Sequence, residues 1–449
     1  MRHNVNTTAI LCLIYVLWAL PTPAEDGSLR KETPALKWGG VGNVLVTDPL
    51  VFQSQPSIAS APNGDLFVAV DNQEDNSIDV FDSIDGGKTW SHLYSFADGW
   101  DSQYPSIAYA HDGDAWIYVA YEKINPGDTR EVWVMRFHRG LAPLYLNTKV
   151  GGPWSMGSSS EHIHPRITTD TIETGSSYSV YVTYAVKDGS KYPIYFSRSL
   201  DSGFTWSTPA DVSGGSVATT WLPTPDIAYG GAGLFVAFVK PGWTGSIIAN
   251  QVWVTKSEDS GSSWLSPVQL TSWEYNQYHP AVSVAHDSDS VLVVYTLDYS
   301  ADSDLAMAYS TDGGSTWSLN RSLAATASDE GSADVEASHD VDDPGWFHIA
   351  YHKYVGGLDE IWYTRAATSD PNVRISHIRV DDSGNVLPFH PRPTIAMDPT
   401  KTPSTEACIA WSDYRGPKYD AYFARDWPIF TNGFESGNTT AWSTTVGGP

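Results

Sequence analysis

A short apolar run opened by proline recurs along this chain, and its periodicity constrains the fold more than any other feature. It appears as PSIAS at Pro56, PSIAY at Pro105, PRITT at Pro165, PDIAY at Pro225, PAVSV at Pro280 and PTIAM at Pro393, with a weaker copy, ADVEA, from Ala333. The starts lie 49 to 60 residues apart, the length of one supersecondary unit. A second run follows each start: LFVAV (66–70), WIYVAY (116–121), YSVYVTY (178–184), LFVAF (234–238), VLVVY (291–295), WFHIAY (346–351) and ACIAW (407–411). A third run comes next, as in IDVFDS, EVWVMRF or QVWVTKS, and a fourth is visible in five of the seven repeats. All are short, rich in β-branched and aromatic residues and bounded by Gly, Asp or Ser, so they read as strands. The 19 Trp, 24 Tyr, 37 Gly and 28 Pro suit many strands joined by tight turns.

Four antiparallel strands in each of seven units predict an all-β chain folded as a seven-bladed β-propeller, with six blades as the alternative. The seventh unit supplies only three strands. The stretch VGNVLVTD (41–48) is free to add the fourth and so to close the ring with an N-terminal strand.

Between the third and fourth runs lie four near-identical octets of the form S-x-D-x-G-x-S/T-W: SIDGGKTW, SLDSGFTW, SEDSGSSW and STDGGSTW. The Gly pair or Ser-Gly supplies positive φ, the Asp can accept backbone N–H bonds across the turn, and the Trp can wedge between blades. Asp85, Trp90, Asp201, Trp206, Asp259, Trp264, Asp312 and Trp317 are therefore read as structural. Blade 2 has lost its octet, and in blade 6 it has drifted to SDPNVRIS.

These octets resemble the Asp boxes, or BNR repeats, of the sialidase superfamily, and the resemblance covers the chain from about Val41 to Trp427. It implies that the boxes occupy the rim opposite an active site and are not catalytic. The same boxes occur in secreted proteins of no known activity, so the resemblance speaks for a fold before a reaction. A sialidase would also need three arginines converging on the substrate carboxylate, the first of them in an F-R-I-P motif. Here that blade reads VFQSQPSIAS, with no arginine. Arg136, Arg198, Arg365 and Arg425 end third strands and belong to the octet face, which leaves Arg166, Arg392 and Arg415 for the opposite mouth.

Strands that run up and down place the residues just before each first strand, and just after each second strand, on the face away from the octets. Gln55, Tyr104, His164, Thr224, His279, Ser332 and Arg392 hold the first of these positions. A polar ring with aromatics suits a sugar, so a glycan or polysaccharide is the expected partner. Glycosidase-type hydrolysis, the first expectation, needs two carboxylates across the scissile bond, with Glu122 and Asp298 put forward ahead of Asp71, Asp334 and Asp413. The alternatives are a polysaccharide lyase working with His164, His279, Tyr104 and arginine, or a non-catalytic lectin or protein-interaction scaffold. Substrate contacts are expected from Arg166, Arg392, Arg415, Lys187, Lys240, His352, His390 and Trp221. His162 and His164 form an H-x-H pair without an evident third ligand, so no metal or cofactor is expected.

The N-terminus, MRHNVNTTAILCLIYVLWALPTPAED, has the layout of a signal peptide over 1–24, with an apolar core too short to span a bilayer. An extension over 25–40, the propeller over 41–427 and a Gly/Ser/Thr-rich tail over 428–449 complete the expected organisation. The mature product would be secreted or periplasmic, monomeric and without a membrane span. Cys408 would then be alone, which excludes an intrachain disulfide. A net charge of −26 excludes nucleic acid as a partner.

Overall fold

The computed structural model describes residues 42–97, 99–110, 116–139, 145–155, 163–170, 178–187, 191–215, 224–244, 247–338, 345–382, 392–398 and 406–425. The expected signal peptide, extension and tail lie outside the described residues. Seven four-stranded antiparallel sheets form the blades of a propeller. Six are contiguous in sequence, spanning 53–96, 101–155, 166–211, 226–269, 276–324 and 329–379. The seventh joins Thr394–Met397, Ala407–Asp413 and Asp420–Arg425 to Val44–Leu45, which pairs Val44 with Phe423 and Leu45 with Tyr422. The ring is thus closed by an N-terminal strand, as expected.

Second strands such as Leu66–Asn72 and Val180–Ala185 are buried at every residue, because neighbouring blades cover both of their faces. Fourth strands form the outer edge and shrink to two residues in blades 3, 4, 6 and 7: Ala210–Asp211, Val268–Gln269, Ile378–Arg379 and Val44–Leu45. The hydrophobic core lies between blades. One cluster joins Tyr118, Ala120 and Val134 of blade 2 to Val180, Val182 and Tyr184 of blade 3. Cys408 is buried between blades 7 and 1.

The innermost strand carries the proline, or follows directly on it, in every blade but the sixth, where Ala333 takes its place. Proline has no N–H for the ladder, so pairing skips it: register shifts fall between Ser54 and Ser57, Gln103 and Ser106, and Tyr278 and Ala281, and blade 6 has the same shift between Gly331 and Asp334 with Ala333 in the proline's place. The residue at or just before the skip turns left-handed, with φ of 55° at Gln55, 53° at Tyr104, 47° at His164, 48° at His279 and 46° at Ser332. Immediately beyond, a belt of hydrogen bonds runs round the axis. Ser57 Oγ accepts from Ile107 N at 3.1 Å, Ser106 Oγ from Ile167 N at 3.2 Å, and Asp226 Oδ2 from Val282 N at 2.8 Å. Asp334 Oδ2 accepts from Ile395 N at 2.9 Å, and Thr394 Oγ1 from Ile58 N at 3.5 Å. Each bond ties one blade to the next. Arg166 and Ala281 hold the same position in blades 3 and 5, where neither side chain can accept.

The octets fasten the opposite rim. In SLDSGFTW, Asp201 accepts from Thr205 N at 2.8 Å and Thr205 Oγ1 at 2.6 Å, while Ser199 Oγ accepts from Gly203 N at 2.8 Å. The other three repeat this pattern. The hydroxyls of Ser263 and Thr316, then the backbone N–H of the same residues, hold the Asp259 and Asp312 carboxyls at about 2. Trp264 meets Phe196 of blade 3 edge-on at 4.8 Å, and Trp90 meets Phe423 of blade 7 at 5.2 Å. Arg198 donates to Ser260 O and Ser262 Oγ of the next octet, and Arg425 to Gly86 O. These arginines sit on the octet face.

Gly261, at φ +77°, lies so close to Phe196 that a Cβ would collide with the ring, whereas Gly215, at φ +80°, faces open space. Gly215→Ala should therefore cost only the strain of the backbone, about 1 kcal/mol, and Gly261→Ala about 3 kcal/mol or more. Thermal or denaturant unfolding of both variants checks the order; equal losses would show that the octet glycine is not a packing requirement between blades.

Candidate functional site

All seven residues that precede the first strands line one cavity on the axis: Gln55, Tyr104, His164, Thr224, His279, Ser332 and Arg392. The proline bulge explains why. It throws the preceding side chain out of the sheet and toward the centre, blade after blade. Below this ring the cavity is walled by the first strands, with Arg166, Asp226, Asp334 and Glu336 contributing the charge.

Three of the ring residues touch. The Tyr104 and His164 rings meet edge-on with centroids 4.2 Å apart, and Arg392 Nη1 lies 3.4 Å from His164 Nδ1. Arginine can only donate, so Nδ1 acts as the acceptor there. Burial, and then the like charge of Arg166, pushes the Arg392 guanidinium down to about 10. Burial pushes the Tyr104 phenol up to about 12, with Arg392 pulling the other way. The mouth thus holds two arginines, from blades 3 and 7, beside a neutral phenol and an imidazole.

The carboxylates lie just deeper. Arg166 Nε is 3.7 Å from Asp226 Oδ1. Burial raises Asp226 to about 7, against the pull of Arg166 and with the help of Asp334. Burial also raises Asp334, again against Arg166, and lifts Glu336 to about 7 against His286. Asp226 was not singled out from the sequence. Its signal was present: the residue after the proline is polar in five repeats and is Arg166 one blade earlier.

The remaining candidates are dispersed. Glu122 is fully buried, paired with Arg130 through Oε1, and its Oε2 accepts from Ile163 N at 2.8 Å. Asp298 and His352 line a second cavity between blades 5 and 6, which His279 shares with the first. Arg415 does not join Arg166 and Arg392. It is bound to Asp413 at 2.5 Å and Asp382 at 2.7 Å, over the Tyr422 ring. Lys240 donates to Ser213 O at 3.0 Å over Trp253, and Lys187 lies over Tyr192. His162, Trp221 and His390 lie outside the described residues. Among the described residues, no group of three or more His, Cys, Asp or Glu is placed to hold a metal ion.

No protein-family model matches the chain, and no curated protein sequence does. Solved structures do. An ulvan lyase, described as a new family of polysaccharide lyase, superposes with a TM-score of 0.55 at 9% identity, covering 86% of this chain and 96% of its own. A protein of unknown function from Dyadobacter fermentans superposes with a TM-score of 0.50 at 14% identity, covering 88% of this chain and 100% of its own. At such identities the likeness is one of fold, and it extends over nearly the whole propeller.

Proposed function

We propose that the protein binds an acidic glycan at its axial mouth and cleaves it by β-elimination at a uronate. The observation that carries this reading is the contact of Tyr104, His164 and Arg392, with Arg166 as a second cation in the same cavity. Among the described residues the two arginines have no carboxylate that satisfies both, which creates a demand for an anion of the ligand. A uronate carboxylate meets that demand, and its neutralisation makes the C5 proton more acidic. Once Arg392 turns its N–H groups to the carboxylate, the His164 Nδ1 lone pair is released to take that proton. The electron pair forms the C4–C5 double bond, the C4–O4 bond breaks, and Tyr104, held as a neutral phenol, gives its proton to the leaving oxygen. The propeller of the ulvan lyase is a fold already known to carry chemistry on polysaccharides. Hydrolysis fits less well: it needs two carboxylates about 5–9.5 Å apart across the bond, whereas Glu122 spends both oxygens inside the protein and Asp298 lines the neighbouring cavity. An exported protein with this mouth would work on extracellular polymer.

Turnover of uronate polysaccharides should release a product absorbing as an unsaturated uronate. Tyr104→Phe and His164→Ala should each lower kcat by about 10²–10⁴-fold, and Arg392→Ala should abolish turnover of acidic substrates while the fold stays intact. New reducing ends without that absorbance would instead establish a hydrolase.

Affinity for an acidic oligosaccharide should also depend on pH, through Asp226. Its carboxyl titrates at about 7. Below that pH it is protonated and ceases to compete for Arg166; above it, the carboxylate repels the ligand. Binding should tighten as pH falls from 8 to 6, by about ten-fold at most, and Asp226→Asn should flatten the profile. Calorimetry across this range decides, and a wild-type profile that is already flat counts against Asp226 as the competitor.

A further inference from the structure

The second cavity opens off the mouth between blades 5 and 6, and its chemistry is the reverse of the first. The two share His279 and Ser332 in their walls, so they adjoin. The outer walls come from the turn at 299–302 in blade 5 and from Tyr354 and Asp359 in blade 6. Asp298, Asp302, Asp329 and Asp359 line it, and its described lining contains no Lys or Arg. Backbone amides aim two of these carboxylates: Ser300 N donates to Asp298 at 2.7 Å and Ser303 N to Asp329 at 3.0 Å. Tyr278 and Tyr354 add ring faces, the latter 41% exposed.

We propose that this cavity is the subsite for the sugar next to the bound uronate, and that it accepts an uncharged sugar and rejects an acidic one. The inference rests on the reading of the mouth as a uronate site and adds a substrate class: polysaccharides in which uronate alternates with neutral sugar, as opposed to polyuronates. Carboxylates are acceptors only, and the hydroxyls of a neutral pyranose are the donors that satisfy them, while tyrosine rings cover its apolar face. A second carboxylate or a sulfate would enter a site that already holds four acidic groups, with no cation beyond the two histidines to offset it. Selectivity then arises from repulsion in one cavity and attraction in the other.

The test uses Tyr104→Phe protein, so that ligands bind without turnover, and compares by calorimetry a uronate-only tetrasaccharide with one alternating uronate and neutral sugar. The alternating ligand should bind at least about ten-fold tighter. Adding Asp298→Asn and Asp302→Asn, which keep the shape and remove charge, should shrink that ratio to about two-fold or less by strengthening the uronate-only ligand. Equal affinities in the Tyr104→Phe protein, or a ratio that survives the two substitutions, overturn the inference alone. Failure of both ligands to bind overturns the uronate reading of the mouth along with it. Should the combined variant fail to fold, the ratio in the Tyr104→Phe background still decides.

Discussion

A break in pairing at the innermost strand, made by a proline that cannot donate to the ladder in every blade but the sixth, where Ala333 stands in its place, is the constraint from which the mouth follows. At this position Gln55, Tyr104, His164, His279 and Ser332 adopt a left-handed conformation that costs about 1–2 kcal/mol for a side chain other than glycine. The structure offsets this locally. Gln55 N donates to Ser412 Oγ at 3.0 Å and Ser332 N to Thr296 Oγ1 at 3.1 Å, each across a blade junction. The strained residue is thereby pinned by the preceding blade, and its side chain is directed to the axis. Repetition converts a local defect into a ring of seven side chains from seven distant parts of the chain. Their identities can then vary without disturbing the sheets that hold them.

The two rims solve different problems with similar means. On the octet rim, glycine admits an aromatic ring from the neighbouring blade, and serine, aspartate and threonine satisfy the turn among themselves. The hydroxyls and carboxylates of each turn are thereby paired within the turn. Arg198 and Arg425 on that rim donate to carbonyls of the neighbouring octet, while Arg136 and Arg365 lie over Trp116 and Trp346. On the mouth rim the hydrogen bonds hold backbone to side chain across junctions, and the charged side chains are set against one another.

This difference explains what could be read from the sequence. The phase of the proline repeat places a residue along the axis, and it correctly brought together Gln55, Tyr104, His164, Thr224, His279, Ser332 and Arg392. The octets gave the opposite rim by the same logic. Phase says nothing about depth or direction. Glu122 and Arg415 follow second strands as the repeat requires, yet one is buried against Arg130 and the other is tied to Asp413 and Asp382. Those pairings depend on side chains meeting in space, and on Asn43 and Asp382, more than 300 residues apart, being joined when the ring closes. Asp226 escaped notice for a related reason: its roles lie in blades 3 and 5, not in its own.

The belt around the axis shows why Asp226 matters. Serine, threonine or aspartate closes the junction in five of seven blades, and a small hydroxyl would have sufficed at each. Blade 3 gives up that bond by carrying Arg166. The loss is tolerated because Asp226, one blade on, reaches its own Ile227 N–H as well as Val282 N, and still faces the Arg166 guanidinium. A serine at position 226 could hold Val282 but could not balance Arg166. An aspartate does both, at the cost of being a buried acid whose protonation lies near neutrality. A chain selected only for a closed ring would have no use for that pair. The exchange of a neutral clasp for a cation and its titratable counter-charge, in the cavity that Arg392 also lines, is the local departure from the scaffold's pattern on which the proposed anion site rests.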